Sequence, residues 1–482
     1  MSRGARAETL SAEEAVSRAA AQSPTLRAAL LDLASAEHAV EAERGARQPT
    51  LAASVAGEHA ENLGSAGATA TTARTASQSV SSSVALRYTT DIGTSLEAGA
   101  SGAATWRSGG SSSAASPLGP SYAGQAYVTA RQPLLRGAGK DAVLAPYAQA
   151  QASAVAADKQ RDVVASQTAL DVLRAYWELW YADQAVAVQE AALAAAQQQV
   201  ADAKARAETL GTGTRIDVLQ FSTSAASIAD ALSQARASRS ARAIELGRVL
   251  GMEPSLSASL EATGAPPPAA DVPAEEAVAR AVSERSSELA AARAEIDATR
   301  SRVAAADDAD QPRLDLVTTA SVGTLWADDN LPGLTLPGGR PAFSVIGGIE
   351  LELPLGGGRY SADAARARSQ LAAAQERYQA RLDAIKAEAS SMRVSLKAAG
   401  EQVALASETA RMASELADAE RQRMRIGTTT PSEVVRAEQT ASEAELRRLR
   451  AAVTQATARL ELEHATGALL DRFASVFGGR SS

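Results

Sequence analysis

Apolar positions along this chain follow helical spacing in most places and strand spacing in a few windows, and the alternation of the two sets the predicted elements. Residues 11–47 and 274–309 read as helices. Ser11 is placed as an N-cap with Glu14 three residues on as its capping-box partner. Gln48-Pro49 and Gln311-Pro312 end these helices, because the residue before proline avoids the helical region. Strand-like windows follow. "SVALRYT" alternates Val84, Leu86 and Tyr88 with polar neighbours, and "TSLEAGASGAATW" is a weaker example. "QAYVTARQPLL" and "FSVIGGIELELPL" lead back into helices. Very long helices are then predicted from Lys140 to Thr209 and from Ala362 to Arg425. Seventy helical residues span about 105 Å. Leu170, Leu173, Trp177 and Trp180 form a heptad stripe near the middle of the first. A glycine turn closes each long helix, and return helices run to Leu250 and Leu469.

The pattern occurs twice. "TLGTGTRIDVLQ" and "RIGTTTPSEVVR" align Gly211 with Gly427, Thr214 with Thr430 and Asp217 with Glu433, and the same offset of 216 joins Leu246 to Leu462 and Gly251 to Gly467. Upstream, "EEAVSRA" from Glu13 echoes "EEAVARA" from Glu275, and "QPTL" from Gln48 echoes "QPRL" from Gln311. Two tandem copies are expected: residues 8–260 with a β region at 50–135, and residues 274–470 with a β region at 313–355. The link between them, 261–273, carries three successive prolines, and 471–482 form a tail. The drop in offset assigns the first copy about 45 extra residues, in a Ser/Gly/Thr-rich insert within 59–120.

Composition points the same way. Aromatic residues are 3% and alanine is abundant, which suits closely packed long helices better than a thick globular core. A net charge of -8 disfavours a nucleic-acid surface. The absence of cysteine removes thiolate chemistry, and His38, His59 and His464 lack metal-ligand spacing, so no metal, cofactor or catalytic set is expected. No apolar run is long enough for a transmembrane helix. Ala5-Arg6-Ala7 looks like the cleavage end of a leader whose apolar part would lie upstream of Met1; chance small residues are the other explanation.

An alanine seam buries little, so the long helices need neighbours beyond their own hairpins. The β regions supply four strands, or six if the insert pairs with itself, and such a sheet has edges that lipid does not tolerate. Three copies of four strands would close a barrel of twelve. Trp106, Tyr122, Tyr127, Trp326 and Phe343 would suit its aromatic girdle, and ordinary hairpin packing, the commoner case, would use them as well.

This order of elements resembles the TolC-type outer-membrane efflux proteins, through "LSAEEAVSRAAAQSPTLRAA", "ARQPLLRGAGK", "LGTGTRIDVLQ", "ELPLGGGR" and "IGTTTPSEVVRAEQ" across residues 10–470. The resemblance implies a mainly α fold with a small β part: a homotrimer whose long antiparallel coiled-coil helices form an α-barrel and whose hairpins share a transmembrane β-barrel. It implies a passive exit duct for efflux or type I secretion, in the outer membrane of a Gram-negative bacterium, with a long periplasmic part. The partners implied are a periplasmic adaptor, an inner-membrane pump and outer-membrane lipid. By the same resemblance Leu210, Gly211, Thr212, Ile426, Gly427 and Thr428 form the adaptor-binding tip, and Asp217 and Glu433 narrow the pore. Gln220 and Arg436 stand where a second acidic ring can occur in the family. The residues alone explain the two acids as partners in capping boxes with Thr214 and Thr430.

Other readings are weaker. "RGAGKD" at 136–141 and "PLGGGRY" at 354–360 resemble phosphate loops but lack the Ser/Thr and glycine positions required, and read as strand-to-helix elbows. "DDAD" at 307–310 reads as a solvated helix end. A non-membrane periplasmic coiled-coil scaffold is the alternative function; it explains the helices and leaves the repeated strand regions unexplained.

Overall fold

The computed structural model describes residues 8–66, 71–108, 121–208, 214–268, 271–326, 342–353 and 358–477. The described chain is mostly helical with a smaller sheet part. In order come β1 (Glu8–Leu10), α1 (Ala12–Gln22), α2 (Pro24–Gly45), β2 (Thr50–Ala66), β3 (Thr71–Thr89), β4 (Ser95–Ser108), β5 (Ser121–Pro133), α3 (Gly139–Glu208) and α4 (Arg215–Leu250). Then follow α5 (Pro254–Ser257), β6 (Leu260–Ala262), α6 (Glu275–Arg285), α7 (Ser287–Ala309), β7 (Arg313–Trp326), β8 (Ala342–Glu352), α8 (Arg359–Arg425), α9 (Pro431–Ala465), α10 (Ala468–Arg472) and α11 (Ala474–Phe477). α3 is 70 residues long and α8 is 67.

Contacts divide the chain into two units. The first comprises Met1–Ala34, Val155–Ala294 and Glu376–Ser482. Its core holds the predicted stripe: Leu170, Leu173, Trp177 and Trp180 are all buried, with Leu246 and Leu250 of α4 and Val453 and Leu460 of α9. The chain therefore buries this part of α3 by itself. Tyr176 on the same face is fully buried, and its hydroxyl donates to the carbonyls of Leu10 (3.1 Å) and Thr263. A buried phenol needs such partners. They come from the ends of β1 and β6, which pair in parallel. Arg239 ties the same knot, donating to Asp183 (2.8 Å) and to the carbonyl of Leu260 (2.7 Å), while Asp183 accepts from the Ala262 N–H.

Two helices expected to be continuous are each broken. α1 stops at Ser23, ahead of Pro24, and α6 stops at Ser286, where no proline follows. Both serines leave the helical region, at ψ 123° and 120°, and both are buried. The second return helix also ends sooner than Leu469. Gly467 takes φ +77°, a left-handed conformation that stops α9 and starts the short α10.

The second unit comprises Ser35–Ala154 and Glu295–Gln375. It holds one antiparallel sheet in the order β2-β3-β4-β5-β7-β8. The insert extends β2 and adds β3 and β4, so the six-strand outcome holds and not the four-strand one. Residues 67–70 and 109–120 of the insert lie outside the described part.

Alternation gives this sheet two chemistries. Leu51, Leu86, Ala98, Val128, Ala320 and Val345 form one register row on one face. On the opposite face Ser54 meets Ser83 at 2.8 Å, Thr129 meets Thr319 at 3.1 Å and Ser321 meets Ser344 at 2.8 Å. Near the helix-bearing strand ends that polar face carries ion pairs: Arg87 with Glu97, and Arg131 with Asp315 and Glu350. Trp106 and Tyr122 share the apolar face, Trp326 is the register partner of Tyr122, and Phe343 is 74% exposed. Tyr127 departs from the expected girdle. It sits on the polar face, donates to Glu97 at 2.8 Å, and lies over Gly99, where a Cβ would come within 2.7 Å of its ring.

The Gly-rich elbow after β5 is held by an unexpected partner. Gly137 and Gly139 take φ +78° and +87°, and the Gly137 N–H donates to the Asp308 carboxylate (3.1 Å). "DDAD" is therefore not simply a solvated helix end. Asp308 fills the place an anion would take at the elbow, and Asp307 pairs with Arg368 at 2.9 Å. The corresponding stretch 354–357 lies outside the described residues.

Candidate functional site

The tip expected from the sequence belongs to the first unit. Helix α8 ends in a Schellman arrangement: the Thr428 N–H donates to the Arg423 carbonyl (2.9 Å) and the Gly427 N–H to the Met424 carbonyl (3.2 Å). Gly427 takes φ +74°, which a side chain would strain. The turn is braced from both sides. The Thr428 hydroxyl donates to the Arg423 carbonyl, and the Arg423 guanidinium donates back to the Thr428 carbonyl (both 3.2 Å). Arg423 also pairs with Glu420 at 2.6 Å. A hydrogen bond from the Thr429 side chain, and then Arg423, holds the Glu420 carboxyl below the usual carboxylate range. Outside this rigid turn stands Ile426, 74% exposed. The result is a firm polar turn offering one apolar side chain to solvent.

Leu210, Gly211 and Thr212 lie outside the described residues. Just beyond them the two turns differ. Thr214 forms a full capping box: its N–H donates to the Asp217 carboxylate (2.9 Å), and the Asp217 N–H donates to its hydroxyl (3.2 Å). The expected second box does not form. Pro431 occupies the first turn of α9, the Thr430 hydroxyl meets that of Ser432 (2.9 Å), and the Glu433 N–H donates to the Thr430 carbonyl (3.1 Å). Glu433 is left to pair with Arg436 at 3.5 Å. So Asp217 is fixed by backbone, while the Glu433 charge is partly offset by its own helix. Among the described residues no group of His, Asp or Glu side chains could hold a metal ion.

Sequence reasoning missed the apolar face of the sheet as a continuous surface. Leu51, Val55, Phe343, Val345, Ile349 and Leu351 are between 58% and 77% exposed. The signal was present as period-two alternation, diluted by Ala, Gly and Ser. No helix among the described residues is long and apolar enough to cross a membrane.

Residues 278–468 match the family model for the outer membrane efflux protein. A comparison with curated proteins finds none that matches. Among solved structures, the fold is similar to the Campylobacter jejuni CmeC outer membrane channel, with a TM-score of 0.70 and 13% identity over 97% of this chain and 89% of that one. It is similar to the open state of the Neisseria gonorrhoeae MtrE outer membrane channel, with a TM-score of 0.65 and 18% identity over 97% and 93% of the chains. It is also similar to the Vibrio cholerae outer membrane protein VceC, with a TM-score of 0.65 and 18% identity over 95% and 96%. At such identities the likeness is one of fold.

Proposed function

We propose that this chain, whose residues 278–468 match the outer membrane efflux protein family model, is the outer-membrane channel of an efflux or type I secretion system. It acts without catalysis, as a passive duct in a Gram-negative outer membrane. Three copies assemble, their sheets sharing one β-barrel and their helices forming a periplasmic α-barrel that docks on an adaptor coupled to an inner-membrane pump. The tandem-copy organisation belongs to the same reading. It is supported by the matching order of α1 to α4 and α6 to α9, and by Ser23 and Ser286, which break corresponding helices. The turn residues Ile426, Gly427 and Thr428, with Leu210, Gly211 and Thr212, are proposed to meet the adaptor. Asp217 and Glu433 are proposed to narrow the bore.

The observation that carries the reading is the two-faced sheet. An apolar face of Leu, Val, Ile and Phe backed by a face of Ser, Thr and ion pairs suits lipid on one side and water on the other. A soluble periplasmic scaffold would expose that apolar face to water at a cost of about 25 cal/mol for each Å² left uncovered. The test is extraction. The protein, produced with an export leader, should leave the outer-membrane fraction only with detergent, show a native mass of three chains and conduct ions in planar bilayers. A monodisperse monomer in plain buffer would overturn the proposal.

A further inference from the structure

We propose that β2 of one copy pairs with β8 of the next, and that three copies close a barrel of eighteen strands, six from each, instead of twelve. The partner at each sheet edge is a second copy of this chain. This rests on the trimeric reading above and adds the strand count, the identity of the joining edges and their register.

Three features of the sheet support it. First, the strands alternate in direction through an even number, so β2 and β8 run antiparallel to each other. Rotation about an axis then sets each β8 antiparallel to a neighbour's β2, with all apolar faces outward. An odd count would make that junction parallel. Second, among the described residues neither edge strand pairs with a further strand, and all eleven residues of β8 are exposed.

Third, the register already carries the stagger of a closed barrel. Thr50, Arg87, Glu97, Thr129, Thr319 and Ile346 form one continuous row across the six strands. Thr50 begins β2 at the helix-bearing end, whereas Ile346 lies six residues inside the end of β8 at Glu352. A climb of six residues over five steps between strands, at about 3.3 Å per residue and about 4.8 Å per step, is a tilt of about 40°. Membrane barrels tilt by roughly 35–45°. At that tilt eighteen strands close at a backbone radius of about 18 Å, against about 12 Å for twelve. The lumen-facing side is small and polar around Ser54, Ser83, Ser101, Ser321 and Ser344, so such a barrel would pass hydrated solutes.

Carrying the slope one step further, with faces kept in phase, sets Ala53 opposite Ile349 or Leu351 of the neighbour. Because the chain has no cysteine, introduced thiols are unique. The double variants Ala53→Cys with Ile349→Cys, and Ala53→Cys with Leu351→Cys, are treated in outer-membrane vesicles with a short bis-maleimide. Ala53→Cys with Val84→Cys reports the pairing within one copy. At least one of the first two pairs should yield covalent dimers and trimers on a denaturing gel, each single variant should stay monomeric, and the third should cross-link within the monomer. Native mass spectrometry of the same extracts reads the trimer independently. A trimer in which neither edge pair cross-links, or in which the β2–β3 pair fails, overturns the eighteen-strand closure. A species other than a trimer overturns the trimeric reading, and the eighteen-strand count with it.

Discussion

Gly467 packs its Cα against the backbone carbonyl of Arg285, as Gly251 packs against that of Gln22. Each glycine ends a return helix in the left-handed conformation, at φ +77° and +74°. Each thereby seats the helix end on the break between two short helices, α6–α7 in one case and α1–α2 in the other. A Cβ at Gly251 would stand 3.0 Å from the Gln22 carbonyl oxygen, and at Gly467 the approach is closer still. Gly467→Ala should therefore destabilise more than Gly251→Ala. The left-handed conformation alone costs about 1–2 kcal/mol for a side-chain residue, and the displaced carbonyl adds to it. Thermal unfolding of the detergent-solubilised protein measures the order; equal losses would count against the closer seat.

At the tip, Gly427→Val should disrupt the Schellman turn without touching the core, since a side chain there meets open space and only the φ of +74° is strained. Overall stability should fall by about 1–2 kcal/mol, while efflux in a reconstituted system falls much further. The paired variant Gly211→Val with Gly427→Val should lose more. Unchanged efflux in that double variant would remove the turns from the docking surface.

Asp217→Asn separates charge from capping, because an amide oxygen still accepts from the Thr214 N–H. Unfolding should change by less than about 1 kcal/mol, the range of helix-dipole effects. Single-channel conductance and cation preference should nevertheless shift. Glu433→Gln should shift them less, since Arg436 already stands 3.5 Å from that carboxylate. Identical current–voltage curves for Asp217→Asn would take it out of the bore.

His464 gives the helical unit an acid-sensitive point. Its ring lies beside Ser166, 2.7 Å from Nδ1, and burial lowers its pKa below the ordinary value, with Glu288, Arg174, Asp171 and Glu388 as the charged neighbours. The unfolded chain takes up a proton below pH of about 6.5, before the folded chain does. Stability is therefore present above that pH and is lost as pH falls toward the lower folded value. Melting temperature should drop between pH 7.5 and 5.5, and His464→Gln should drop less over the same interval. Parallel curves for the two proteins would exclude the histidine as the source.

Asp308→Ala should loosen the elbow at Gly137. It removes the acceptor of a part-buried N–H, a loss of about 1–3 kcal/mol. Hydrogen exchange at Gly137 should rise, while exchange around Leu173 and Leu246 stays slow. Protection unchanged at the elbow would mean that another acceptor takes over.

Period and punctuation made much of this legible before any tertiary contact. Pro49 and Pro312 bound the short helices, the spacing of Leu170, Leu173, Trp177 and Trp180 marked the buried face of α3, and Gly427 marked the end of α8. These are local effects, set by φ restrictions and helical geometry within a few residues. The pairing of strands was not local. Alternation marked parts of β3 and β4, but Ala, Ser and Gly in the insert carry weak β preference, and register with β2 and β5 sets the full extent and the partners of those strands. The break at Ser286 lacks the proline that marks Ser23. It is seen only where Gly467 docks against Arg285. Likewise Thr430 and Thr214 read as equivalent caps, yet Pro431 and Ser432 redirect one hydroxyl. Along the chain, then, residue order determines where elements start and stop. Which of them meet, and on which face, is decided by contacts between residues far apart in sequence, whose partners no local pattern names.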